Sequence, residues 1–430
     1  MKLRVDRLIF VLVVFVLVVT GIVLGVNFLI SLFKSDPGPG DLKTPVALAL
    51  TDRKSGDELG TDGQFAVIGD TIYYRAEDDT IRCAPLSDPK QSELVYSLQN
   101  LSDNPDYQAL KLGVMDGIPT ISYYSGDVAT GERVVMKILP NGNAERIAEL
   151  SNGNVAYTDD AVISLNQHMP PFSANLFKAS QSSAEIQPFA DSLYYYGFVR
   201  MPGSEGIDTS ADLAIYGDQI YVLAVKGQME SGALNWNNSY SQMAKVDLNS
   251  GITEIVSDIP ISHFAISGDT LWMQSYHEIY RMKLPDGEME LMLTTATNAS
   301  SAENIVSRNL LHIAPLADEL YYFTDFTDED IMEGEQVRTA GELYRLGVPV
   351  SPQPGIVMED LRRHGDYVAA HFRATSEQDA TVLFDERGQA VFSSSKHLAP
   401  GWISISGRNL VYTEEPGGTL YWVVLPEPEI

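Results

Sequence analysis

A short turn marker recurs along this chain at intervals of 42 to 59 residues, and each copy is followed by the same kind of strand. Gly69-Asp70 precedes Ile72-Tyr73-Tyr74, and Gly217-Asp218 precedes Ile220-Tyr221-Val222. Gly268-Asp269 precedes Leu271-Trp272-Met273, and Ala317-Asp318 precedes Leu320-Tyr321-Tyr322. Gly365-Asp366 and Gly407-Arg408 continue the series, with weaker copies at Asp116-Gly117 and Asp159-Asp160. A strand-like run stands before each marker, as in Phe65–Ile68 and Phe264–Ser267. Two more follow the marked strand, as in Ile279–Leu284 and Glu290–Leu293. Large and polar residues alternate with period two in these runs, which is the strand signature. Four strands per repeat of this length is the period of a propeller blade. Such a unit cannot bury both its faces alone and must stack on neighbours.

The repeat therefore predicts an all-β chain, a β-propeller of eight four-stranded blades, with seven blades as the alternative. A plain β-sandwich is the competing architecture, but it does not require so regular a marker. The 21 Tyr, 33 Gly and 22 Pro fit strands and turns better than a helical bundle.

The segment Ile279-Tyr280-Arg281-Met282-Lys283-Leu284-Pro285-Asp286-Gly287 resembles the strand-and-turn element of low-density-lipoprotein-receptor-like propellers. Tyr322-Phe323-Thr324-Asp325 resembles the Tyr-Trp-Thr-Asp motif of that group, with Phe in place of Trp. Bacterial membrane-anchored propeller domains of unassigned function look similar. The resemblance covers residues 60–430 loosely, and most copies lack Thr-Asp. It implies a fold and a cell-surface location, not a reaction or a receptor-type ligand.

Leu8–Phe33 carries no charge. As a helix it would reach about 39 Å, more than the ~30 Å hydrocarbon core. It is longer than the apolar region of a signal peptide and ends without a small-residue cleavage site, which predicts an uncleaved signal anchor. Lys2, Arg4 and Arg7 precede it, so the N-terminus is expected in the cytoplasm and the rest outside. The expected organisation is a cytoplasmic stub at 1–7, a transmembrane helix at 8–33, a Pro/Gly linker at 34–43 and an extracytoplasmic propeller at 44–430. The location is the plasma membrane, crossed once.

The chain holds 29 basic and 58 acidic residues, a net charge of -29. Four of the basic residues and one acidic residue lie before Ser35, so the exported part is more acidic still. Such a surface repels nucleic acid and keeps a domain soluble. One cysteine, Cys83, excludes an intramolecular disulfide and a cysteine-based zinc site. An exported domain without disulfides fits a bacterial source.

Motifs of chemistry are sparse. No Gly-x-Ser-x-Gly elbow, phosphate loop or dinucleotide fingerprint occurs. The seven histidines form no metal pair, and His364 and His371 would face opposite sides of one regular strand. The acidic run at Asp325, Asp328 and Asp330 reads as a solvated loop, with calcium as the alternative and no other cofactor expected. Tyr194, Tyr195, Tyr196, Trp236 and Tyr240 stand out because they fall in insertions, not in repeat strands. Those insertions are Ser192–Thr209 and Gly227–Ser241; a third is Thr324–Gly341. All three belong to loop types that share one propeller face, so the five aromatic residues are candidates for one ligand-binding patch. The competing reading packs these rings against their own loops.

The leading function is a non-catalytic binding or scaffolding propeller for a cell-surface protein, peptide or glycan. An extracytoplasmic glycan lyase or hydrolase is the alternative, and a membrane sensor the third. One further expectation concerns ring closure. The last repeat lacks an outermost strand, and Pro45-Val46-Ala47-Leu48-Ala49-Leu50 is a strand without a blade, expected to pair beside Leu420–Leu425.

Overall fold

A computed structural model of the chain describes residues 65–426. Outside the described residues lie 1–64, 427–430 and the internal segments 167–175, 295–309 and 326–340, with short stretches of one to six residues elsewhere. The chain divides into a unit of Met1–Asp41, where the expected membrane helix lies outside the described residues, and a unit of Leu42–Ile430.

The second unit is an eight-bladed β-propeller. Eight antiparallel meanders follow in chain order, over residues 65–97, 105–150, 153–188, 194–255, 263–294, 310–349, 356–394 and 403–424. Blades 1 to 7 each contain a consecutive four-strand path, and blade 8 contributes Ile403–Ser406, Asn409–Thr413 and Leu420–Val424 among the described residues. First strands of neighbouring blades approach one another, as Leu310–Leu316 does with both His263–Ser267 and Ile356–His364, so they line the axis.

The core explains why the ring forms. In the second strand of blade 4, Gln219–Lys226, alternate residues serve different neighbours. Ile220, Val222 and Ala224 pack toward Ile163 and Leu165 of blade 3, while Tyr221 and Leu223 pack toward Ile266 and Met273 of blade 5. Blade 6 repeats the device, with Leu320 and Tyr322 toward Trp272 and Ile279, and Tyr321 and Phe323 toward Val368 and Ala370. Period-two alternation thus supplies both apolar faces of each blade. The described core contains eight such clusters, one for each interface of a closed ring of eight. The one between blades 8 and 1 joins Val411 and Trp422 to Val67, Ile72 and Ala84. Each large apolar side chain so buried contributes about 1.5–3 kcal/mol.

The marker is a two-residue hairpin between first and second strands. Ile68 pairs with Thr71, Tyr216 with Gln219, Ser267 with Thr270 and His364 with Tyr367. Gly69, Gly217, Gly268 and Gly365 all have φ between 56° and 58° at the first turn position, the position that a type II′ turn reserves for glycine. At Asp116-Gly117 both residues have positive φ, the type I′ variant.

Two expectations are corrected. Tyr194–Tyr196 is a strand: it pairs with Lys226, Val225 and Ala224 on the edge of Gln219–Lys226 that Leu213–Tyr216 occupies lower down. The first strand of blade 4 is therefore split, and the insertion leaves from its middle. His364 and His371 stand on two strands, first and second of blade 7, because the Gly365-Asp366 turn falls between them. The expected closing strand at Pro45–Leu50 lies outside the described residues.

Candidate functional site

Connections in an antiparallel meander alternate between the two ends of the strands. First-to-second turns therefore share one face of the ring, the turn face. Second-to-third loops and the links between blades share the opposite face. The insertion at Gly227–Ser241 joins second and third strands of blade 4 and carries its own hairpin, Gln228–Glu230 with Ala233–Asn235. The segment between Asp325 and Gly341 joins second and third strands of blade 6. The excursion from the split first strand of blade 4 carries a second small hairpin, Phe198–Val199 with Asp208–Thr209.

Several hydrogen bonds fix that excursion. Gly197 N–H donates to Leu223 O at 2.8 Å at the point where the chain departs, and Phe198 is fully buried. Ser241, also fully buried, holds Arg200 in both directions. Its N–H donates to Arg200 O at 2.9 Å, and its Oγ accepts from Arg200 N–H at 3.2 Å. The same Oγ lies 2.6 Å from Ile261 O, in the link to blade 5. Tyr240 beside it donates to Asp258 O at 2.7 Å. Tyr276 donates to Pro202 O at 2.7 Å from the second-to-third turn of blade 5. The stretch Arg200–Pro202 is thus a strap lying between blades 4 and 5.

Tyr276 was not singled out by the sequence. It has φ of 49° and keeps 42% of its surface exposed. A bulky residue with positive φ carries backbone strain, which persists where the surroundings enforce it. Its one visible signal is its position as the aromatic residue in a turn that elsewhere takes small or polar residues.

The predicted aromatic residues divide. Tyr196 lies inside the interface of blades 3 and 4, with 1% of its surface exposed and its hydroxyl 2.6 Å from Thr253 Oγ1. Burial pushes its ionisation well above the ordinary phenol range. Tyr194 packs against the same cluster and is half-buried, as are Tyr195 and Tyr240. Trp236 lies outside the described residues. Asp325 ends the second strand of blade 6, while Asp328 and Asp330 lie outside the described residues. Among the described residues no group of three or more His, Cys, Asp or Glu is placed to hold a metal ion.

The axis holds a second feature missed in the sequence. The first strand of blade 7 carries Arg362, Arg363 and His364, where the last three residues of the other first strands are uncharged. Arg363 Nε donates to Gly365 O at 2.8 Å, and a terminal nitrogen lies 3.4 Å from Ser267 Oγ of blade 5. A side chain that links blades 5 and 7 spans the blade between them at the turn face. Cys83 sits in the third strand of blade 1, and burial, with Glu93 nearby, pushes its thiol up, away from a reactive thiolate.

Fold and site together define an eight-bladed all-β propeller with one elaborated face. The sequence matches no described protein family and no curated protein. Among solved structures it is similar to the computationally designed Ika8 protein, with TM-score 0.45 and 11% identity over 88% of this chain and 99% of that one. It is similar to BamB from Moraxella catarrhalis, with TM-score 0.46 and 10% identity over 85% of this chain and 95% of that one. A prolyl endopeptidase gives TM-score 0.44 and 14% identity over 79% of this chain; the match spans 49% of that enzyme. Likeness at this level concerns fold alone.

Proposed function

We propose that this protein is a non-catalytic binding or scaffolding propeller at a bacterial cell surface, held in the plasma membrane by Leu8–Phe33. Its partner is a cell-surface protein, peptide or glycan, engaged on the face that carries the insertions. The observation that carries this reading is the strap Arg200–Pro202, fixed by Ser241 and Tyr276 on the same face as the hairpin insertion of blade 4. Long segments ordered on a rigid scaffold are where recognition concentrates. Tyr194, Tyr195, Trp236 and Tyr240 supply the aromatic surface, with Tyr196 supporting it from within. The likeness to low-density-lipoprotein-receptor-like propellers belongs to this reading as a surface location. Tyr322 of the matching motif stacks on Tyr344 with ring centroids 5.3 Å apart, and Phe323 is buried, so these two aromatic residues of the motif are core.

The test replaces Tyr195 and Trp236 with Ala, singly and together, and compares capture of cell-surface components with thermal unfolding. Lost capture with an unchanged melt supports the reading. A lowered melt with capture retained assigns the rings to loop packing. Turnover of a surface glycan by the intact protein would favour the lyase or hydrolase instead. The acidic loop is read as solvated, so a chelator leaves the melt unchanged; a fall would bring forward calcium at Asp325, Asp328 and Asp330.

A further inference from the structure

We infer that a small oxyanion, a phosphate or a carboxylate, binds in the seam between blades 2 and 3, held by the Lys137 ammonium and the Thr120 hydroxyl. The site lies toward the turn face, apart from the insertions.

Comparison of the blades locates it. Residues opposed on the first, second and third strands form a row across a blade, and the side chains of a row share one face. In blades 4, 5 and 6 one such row holds Ala, a large aromatic residue and a basic residue. These are Ala214 with Tyr221 and Lys245, Ala265 with Trp272 and Arg281, and Ala314 with Tyr321 and Arg345. The row in blade 3 is Ala156 with Ile163 and Lys178. In blade 2 it is Gly113 with Thr120 and Lys137. Blade 2 thus gives up a methyl group and an aromatic ring at this level, yet keeps the basic residue.

The basic residues differ in what they meet. Lys178 donates to Leu248 O at 2.8 Å, and Lys245 lies 3.1 Å from Asp286. Arg281 lies 2.9 Å from Glu290, and Arg345 lies 3.1 Å from Glu319. Lys137 is only 7% exposed, and among the described residues it makes no hydrogen bond or ion pair. Glu145 opposes it on the fourth strand, as Glu254 opposes Lys245, but is exposed and forms no ion pair with it. Thr120 is fully buried, and its Oγ1 has no hydrogen-bond partner.

Ile121 and Tyr123 pack toward blade 1, so Thr120 and its row face blade 3. Val155, Tyr157, Val162 and Ala179 of blade 3 complete the core of this seam, and none is acidic. Arg133, on the same face of blade 2, is 2% exposed and donates to Ser122 Oγ at 2.8 Å. The seam therefore buries two positive charges. A buried charge is costly unless paired, and buried polar groups in folded proteins meet partners. An ammonium has three donors and no acceptor, and a hydroxyl adds one donor. The partner that suits both is an acceptor with negative charge, small enough for the space that a ring fills in blades 4 to 6. Lys137 stands one residue before Ile138, where the third strand ends at the turn face, so the ligand enters from there.

Titration calorimetry of the full chain with inorganic phosphate and with acetate, at constant ionic strength and neutral pH, tests this. Saturable binding of at least one anion is expected. It should be about tenfold weaker or more in Lys137→Met and in Thr120→Val, and unchanged in Arg281→Gln, whose seam already has its carboxylate. Preference for phosphate assigns a phosphoryl ligand, and preference for acetate a carboxylate; both support the site. Phosphate also stabilises proteins by exclusion from their surface, so a raised thermal midpoint counts only where Lys137→Met loses it. Thr120→Val is nearly isosteric and keeps the test readable if Lys137→Met does not fold. No saturable heat with either anion, or undiminished binding by Lys137→Met or Thr120→Val, overturns the proposal.

Discussion

Gly251 and Gly197 stand at tight contacts between blades 3 and 4. Gly251 has φ of 71°, and a Cβ there would collide with the Phe189 carbonyl oxygen of the link from blade 3. Gly197 has φ of 74°, and a Cβ would sit 2.5 Å from Leu165 Cδ2. Gly251→Ala is therefore expected to cost about 2 kcal/mol or more, combining left-handed strain with a backbone clash. Chemical denaturation measures it, and an unchanged midpoint would contradict the packing described. Tyrosine ionisation gives a second residue-level expectation. Burial pushes Tyr280 and Tyr412 up to about 12, with Glu278 and Glu414 adding to it, and raises Tyr321 further. Tyr321 donates to the Asp385 carbonyl across the seam of blades 6 and 7, a bond that only the neutral phenol can make. A pKa raised on folding means that the folded state keeps protons which the unfolded chain releases above pH 10. This stabilisation is complete below that pH and is lost as pH rises toward 12 and beyond. Thermal midpoints should hold from pH 8 to about 10 and fall as pH rises from there toward 12, and a midpoint that rises over the upper window would contradict it.

At the scale of single elements, the hairpin turns were the most legible part of the sequence. A turn with φ > 0 at its first position selects glycine wherever it occurs, so Gly69, Gly217, Gly268 and Gly365 write the blade register directly. The inner strands named from the pattern are strands of the fold: Phe65–Ile68 coincides with one, and Phe264–Ser267 falls within His263–Ser267. Tyr194–Tyr196 was illegible for a physical reason. Three aromatic residues ahead of a long excursion look like loop, and only pairing with Lys226, Val225 and Ala224 reveals a split strand. Arg363 was missed because its role depends on Ser267, distant in sequence. Tyr276 could not be found by period, since turn conformation is set by the strap it holds. Tyr276→Gly separates its two roles. Relief of left-handed strain is about 1 kcal/mol and the lost hydrogen bond about 1 kcal/mol, so the melt should stay nearly unchanged. Partner capture should fall; retained capture with a higher melt would show that the strain serves no binding role.

At the scale of the molecule, stability is shared among eight interblade seams, so one large truncation should be felt throughout. Trp272→Ala removes the largest fully buried side chain among the described residues, in the seam of blades 5 and 6, and is expected to cost about 3–5 kcal/mol. Unfolding should remain one transition by circular dichroism; a separate early transition confined to blades 5 and 6 would contradict a cooperative ring. The proposed anchor predicts that the full chain stays with membranes after alkaline carbonate washing and that external protease digests the propeller; release of a shortened soluble form would contradict it.

The central claim is that recognition belongs to the insertion face. The measurement is capture of cell-surface components by the full-length, detergent-solubilised protein carrying Ala at Tyr195 and Trp236, compared with one carrying Ala at Asp218 and Asp366 on the turn face. Both are to be checked for an unchanged melt. The account predicts that capture is lost from the first and kept by the second. Equal capture by both, or loss from the turn-face variant alone, would contradict it.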